Sequence, residues 1–216
     1  MLALKFPHKQ SSRLQILCLG AHSDDIEIGC GGTILRLLAE NRNVQIVWVV
    51  FSSTEERAHE ARASAKLFLE GSKQSEVLVE DFRDGFFPFD GANIKSHFEG
   101  LKQSSPDLIF THSRKDAHQD HRLIAELTWN TFRNHMILEY EIPKYDGDLG
   151  QPNFFVALEK EIYEKKVRFL VDAFETQRSK AWFTEDTFLA LMRLRGMECV
   201  SPSGYAEAFY CRKLLL

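Results

Sequence analysis

Residues 44–51 read VQIVWVVF. Gln45 is the only polar side chain in this run, so it cannot alternate between a wet and a dry face. It fits a strand covered on both faces, the pattern of a parallel sheet sandwiched between helices. Residues 14–19 (LQILCL) and 108–111 (LIFT) read the same way. Each of the three runs leads towards a segment with apolar residues at helical spacing.

The rhythm extends over much of the chain. Helices are predicted over 31–41, 54–69, 94–103 and after His118, with a short strand at 76–79. Beyond about residue 134 the pattern loosens. Strands are predicted at 137–142, 154–158 and 205–211, and helices at 159–174 and 184–195. Strands alternating with helices predict an α/β fold: a Rossmann-like, doubly wound, mostly parallel sheet with helices on both faces. The 216 residues show no linker, so a single domain over 1–216 is expected.

Composition narrows the function. The formal net charge of −4 gives no electrostatic case for nucleic acid or a bilayer surface. No window reaches the roughly 18–20 apolar residues of a membrane helix. Residues 1–12 carry Lys5, His8 and Lys9 and lack a signal-peptide core. A cytoplasmic protein with a small-molecule substrate is expected, with a homo-oligomer left open. Cys18, Cys30, Cys199 and Cys211 show no CxxC spacing, which argues against a structural zinc cluster or a disulfide framework. Cys30 reads as a small residue at a close helix contact, with a reactive thiol as the alternative.

Two segments carry the chemistry. Ala21-His22-Ser23-Asp24-Asp25-Ile26-Glu27 follows the first strand, and Asp116-Ala117-His118-Gln119-Asp120-His121-Arg122 follows the strand near 108–111. Strand-to-helix loops of a parallel sheet gather at the carboxyl edge, where ligands bind. Imidazoles and carboxylates meeting there suggest a divalent metal held by three side chains. Adjacent side chains on extended backbone diverge. One Asp is therefore expected to join His22 on the metal, while the other takes a proton from the attacking water. His118 and His121 are three apart and share a helix face, so one can bind metal while the other faces a developing oxyanion. Asp120 can fix the tautomer of a neighbouring imidazole. Gly29, Gly31 and Gly32 would let backbone approach the metal loop and a substrate. His59, His97 and His135, like His8, read as surface or packing residues.

At these residues the sequence resembles the PIG-L/LmbE-like family of zinc-dependent N-deacetylases. The family pairs an AHPDDE-like segment with a later HxDH segment, here Ala21 to Glu27 and His118-Gln119-Asp120-His121. The Gly-rich continuation, Arg57 with Glu60, and Ala206-Glu207-Ala208-Phe209 extend the resemblance. It implies one Zn²⁺ per chain held by His22, Asp25 and His121, with other divalent transition metals possible. Asp24 is implied as general base. His118 is implied as the group that stabilises the oxyanion or protonates the amine, supported by Asp120. Arg57 is implied as a substrate contact. Ser23 replaces the family's usual proline, and Ile26 displaces the acid that often follows the second Asp.

The expected reaction removes an N-acetyl group from an amino-sugar derivative, GlcNAc-like and nucleotide- or lipid-linked, releasing acetate. Expected pocket-wall residues are Arg57, His112, Arg114 and the Phe86-Phe87-Pro88-Phe89 loop, with Arg114 and Lys115 available for a phosphate or carboxylate. The alternatives are a zinc amidohydrolase acting on a non-sugar amide, and a Rossmann-like binding protein. Against the latter, the first βα turn lacks G-x-G-x-x-G.

Overall fold

A computed structural model describes residues 13–40, 43–72 and 74–215. The N-terminal segment with His8 lies outside those residues. The chain begins with β1 (Leu14–Gly20), α1 (Asp25–Glu40), β2 (Val44–Val50), α2 (Glu55–Phe68) and β3 (Gln74–Val79). It continues through α3 (Gly91–Leu101), β4 (Leu108–His112), α4 (Gln119–Thr131) and β5 (Met136–Tyr140). The last elements are β6 (Phe154–Ala157), α5 (Lys160–Ala173), α6 (Glu185–Glu198) and β7 (Ala206–Cys211).

The described strands form one sheet in the order β3-β2-β1-β4-β5-β7-β6. β1 is parallel to both β2 and β4, β2 to β3, and β4 to β5. β7 runs antiparallel between β5 and β6. This is the mostly parallel, helix-covered sheet that the apolar runs predicted. The antiparallel insertion lies where the sequence pattern loosens.

Side chains of successive strand residues alternate between the two faces. Ile16 and Cys18 of β1, Ile46, Trp48 and Val50 of β2, and Phe110 of β4 join one buried cluster with residues of α1, α2, α5 and α6. Leu17, Leu19, Val49 and Ile109 join the opposite cluster with Ile94 and Phe98 of α3 and Ile124 of α4. Both faces are covered, which is why β1 and β2 tolerate almost no polar residue.

The largest departure from the sequence reading is α1. It begins at Asp25 rather than near residue 31. Each glycine in a helix interior costs about 1 kcal/mol relative to alanine, so propensity alone delays the start. Tertiary packing overrides it. A Cβ on Gly29 would sit 2.3 Å from the Tyr140 ring, and one on Gly31 would sit 2.5 Å from Phe68. These glycines bring side chains of the core against the helix, rather than opening backbone to a substrate. The predicted end at residue 41 falls outside the described residues, and α1 ends at Glu40. The remaining shifts are small: α3 starts three residues before the predicted 94, and β5 stops at Tyr140, so Glu141 and Ile142 leave the sheet.

Candidate active site

The strand order reverses at β1. Its neighbours β2 and β4 lie on opposite sides, and the loops leaving β1 and β4 diverge above the sheet edge. A crevice at such a switch point is the usual ligand site of an open α/β sheet. The two acid- and His-rich segments meet there.

The first loop is tied down by backbone. The His22 N–H donates to Asp25 Oδ2 at 2.6 Å, and the Ala21 N–H donates to His112 Nε2 at 2.9 Å. In the second loop the His118 N–H donates to Asp116 Oδ1 at 2.8 Å, and His118 caps α4, its Nδ1 accepting from the Asp120 N–H at 3.3 Å. That bond leaves the proton of a neutral His118 on Nε2.

Three side chains converge. His22 Nδ1 lies 3.1 Å from His121 Nε2. His121 Nε2 lies 3.5 Å from Asp25 Oδ1, and His22 Nδ1 lies 3.5 Å from Asp25 Oδ2. An ion with bonds of about 2.0–2.2 Å at tetrahedral angles separates its ligands by about 3.3–3.6 Å; both contacts to Asp25 match this, and the two imidazole nitrogens, at 3.1 Å, need open by only a few tenths of an ångström. All three side chains are buried. The groups whose single donor atoms all lie within 4.8 Å of one another are His22 with His118 and His121, His22 with Asp84, His118 and Asp120, and Asp25 with His112 and His121.

The electrostatics suit such a site. Burial, with His112 beside it, lowers His121 to about 4 and keeps the ring neutral. Burial would also raise Asp25, but the imidazoles of His121, His112 and His22 outweigh it and hold the carboxyl well below its usual range. Burial raises Asp24 despite the Arg57 guanidinium at 3.1 Å. Two adjacent carboxylates are thus pushed in opposite directions, a pattern that separates ligand from base. Asp24 Oδ2 is buried and has no hydrogen-bond partner. Burial lowers His22, but the carboxylates of Asp120, Asp25 and Asp84 more than reverse this and make it a strong seat for positive charge.

Above these groups opens a cleft of about 290 Å³, lined among others by Asp24, Arg57, His118, Lys144, Lys180 and Trp182. Arg57 stands in the cleft, as the sequence suggested. His112 does not. It is fully buried beneath the site, with its ring stacked on His121 at 3.9 Å. Arg114 and Lys115 are exposed and lie off the cleft wall. Strand β4 ends at His112, so the chain turns outward just after it. The aromatic loop divides: Phe87 is buried, while Phe89 is 82% exposed.

Asp120 meets His118 through its backbone N–H, while its side chain turns to another imidazole, that of His22. Its carboxylate accepts the N–H groups of Gly85 and Phe87 at 2.7 and 3.1 Å, and approaches His22 Nε2 at 3.3 Å. The acid on the later histidine is Asp116, whose Oδ2 lies 3.0 Å from His121 Nδ1. Its position five residues before His121 was a usable signal. Lys180 and Trp182 come from the α5–α6 connection and Asp84 from the segment after β3, where no motif marks them. Cys30 packs in the core away from the cleft, its thiol donating to the Ile26 carbonyl at 3.3 Å. His59 is exposed and His135 packs on Phe132. His97 packs on Phe51 and lies 3.6 Å from Glu80, an acidic neighbour absent from the local sequence.

The profile of the PIG-L family, described as GlcNAc-PI de-N-acetylase, matches residues 17–132, just over half of the chain. The chain belongs to the PIG-L family. The match contains both site segments and ends just beyond α4. An uncharacterized deacetylase of Escherichia coli K12, YaiS, is 29% identical over 174 residues, spanning 74% of this chain and 90% of that protein. The N,N'-diacetylchitobiose deacetylase of Pyrococcus horikoshii superposes with a TM-score of 0.66 at 22% identity, over 91% of this chain and 83% of that one. GalB, the 4-carboxy-2-hydroxymuconate hydratase of Pseudomonas putida KT2440, gives 0.74 at 18% identity, over 94% and 98%. The PIG-L fold therefore carries a hydratase as well as deacetylases, and fold alone does not select between them. No helix among the described residues is long and apolar enough to cross a membrane.

Proposed function

We propose that this chain is a single-domain, metal-dependent N-deacetylase that hydrolyses the N-acetyl group of a GlcNAc-like amino-sugar derivative and releases acetate. The observation that carries the reading is the triangle of His22 Nδ1, His121 Nε2 and the Asp25 carboxylate, with the unpaired Asp24 oxygen beside it. One Zn²⁺ per chain is the proposed ion; bound there, it supplies Lewis-acid polarisation of the acetyl carbonyl and acidifies the attacking water.

The chain's own residues do the rest. Asp24, steadied through Oδ1 by Arg57, takes the proton of the attacking water on Oδ2. His118, with its proton on Nε2, hydrogen-bonds the developing oxyanion, and the proton that Asp24 has taken passes to the departing nitrogen. Arg57, Lys180 and Trp182 form walls against which the sugar and its substituent lie. A ring face such as Trp182 suits the apolar face of a pyranose.

The test is metal content together with acetate release from free, nucleotide-linked and lipid-linked N-acetylamino sugars. Near one metal per chain, with release abolished by a chelator, supports the reading. Metal with no acetate, but with turnover of another amide or water addition to an unsaturated acid, would replace the proposed reaction. Absence of metal after zinc is supplied would overturn it.

A further inference from the structure

The second nitrogen of His22 is held by a residue that no motif marks. Nε2 lies 3.0 Å from Asp84 Oδ1 and 3.3 Å from Asp120 Oδ2. The two carboxylates differ. Asp120 is fully buried, and each of its oxygens already accepts a backbone N–H, from Gly85 and from Phe87. The Asp84 side chain is 63% exposed, lines the cleft, and makes no other ion pair among the described residues. It is the closer acceptor and the less committed one. Gly85, at φ +77°, turns the chain so that its own N–H meets Asp120 while the preceding side chain meets His22. A side chain at that φ would be strained, so the turn depends on glycine.

The far nitrogens decide what the near ones present. His121 Nδ1 faces the Asp116 carboxylate, so a neutral His121 carries its proton there and a lone pair on Nε2. His22 Nε2 faces Asp84, so a neutral His22 carries its proton there and a lone pair on Nδ1. The two lone pairs then face each other across 3.1 Å. Without a metal, a proton on His22 Nδ1 bridges the two nitrogens as a hydrogen bond; a bound metal would take that proton's place and make two ligand bonds.

We propose that Asp84 is the positioning residue of His22: it accepts the Nε2 proton, fixes the tautomer, and aims the Nδ1 lone pair at the point shared with His121 and Asp25. Asp120 completes the clamp by fastening the Asp84–Phe87 segment to α4, the helix that carries His121. This role rests on the metal reading above.

The test is Zn²⁺ affinity, measured on apoprotein by competition with a chromophoric chelator, for the unaltered protein, Asp84→Ala and Asp84→Asn. Loss of a carboxylate behind a ligand histidine weakens metal binding about 10- to 100-fold. Asp84→Ala is expected at the lower end, because Asp120 remains. Asp84→Asn is expected to keep most of the affinity, since its amide oxygen still accepts the Nε2 proton. Unchanged affinity in Asp84→Ala, with only KM raised, would assign Asp84 to substrate alone and overturn the role. Equal weakening in both variants would also overturn it, because the effect would then be charge rather than tautomer. No zinc binding by the unaltered protein would instead bring down the metal reading itself, and this role with it.

Discussion

Lys166 and Glu207 form an ion pair of 2.6 Å inside the core, and the two partners reach the two ends of one helical step in α1. The ammonium donates to the Ile28 carbonyl at 2.6 Å, while the carboxylate accepts from the Gly32 N–H at 2.8 Å. Glu207 also accepts the N–H and the hydroxyl of Thr33. The pair thus braces the helix whose first residue is Asp25. Gly32 allows it: a Cβ there would come within 3.0 Å of the Glu207 carboxylate.

Replacing one partner strands the other as an unpaired buried charge, which costs about 3–5 kcal/mol. Glu207→Ala is expected to lose stability in that range by urea unfolding. Lys166→Met in the same background should recover part of the loss, because no lone charge then remains. If the double variant is no more stable than Glu207→Ala, the pair does not act as a unit.

Gly29→Ala inverts the ordinary helix rule. In an open helix the change gains about 1 kcal/mol. Here the new methyl meets the Tyr140 ring at 2.3 Å, and Tyr140 is itself fixed by its hydroxyl donating to the Leu19 carbonyl at 2.6 Å. Overpacking of this kind costs about 1–3 kcal/mol. A thermal melt should show a lower Tm; a higher one would mean that the ring moves freely.

Asp24→Asn tests the division of labour between the adjacent acids. The variant is expected to keep its bound metal, because Asp24 lies outside the His22–Asp25–His121 triangle. Its turnover should fall by about 10²–10⁴-fold, the usual worth of a general base. His121→Ala is expected to lose the metal. Elemental analysis beside acetate assays distinguishes the two, and near-normal turnover in Asp24→Asn would remove Asp24 from the base role.

Trp182→Ala probes the cleft wall. A contact worth about 1 kcal/mol raises KM about fivefold while leaving kcat little changed. An unchanged KM on every acetylated sugar that turns over would take Trp182 out of the substrate site.

The sequence by itself determined the sheet, its burial on both faces and the two segments that meet at its edge. Periodicity is a local property, and so is a motif, so His22, Asp24, Asp25, His118 and His121 were all legible. The tertiary structure decided what stands behind and around them. Asp116 rather than Asp120 faces His121, because the α4 N-terminus turns the Asp120 carboxylate towards the Gly85 and Phe87 amides. His112 goes under the site and Arg114 away from it, because β4 ends at the buried His112 and the chain reaches the surface two residues later. Lys180 and Trp182 reach the cleft from a connection about sixty residues downstream of His121. The early start of α1 comes from Tyr140, Phe68 and Glu207, whose close approach outweighs the low helix propensity of three glycines. Each of these depends on which distant residues share a few ångströms of space, and a linear pattern does not encode that before the chain has folded.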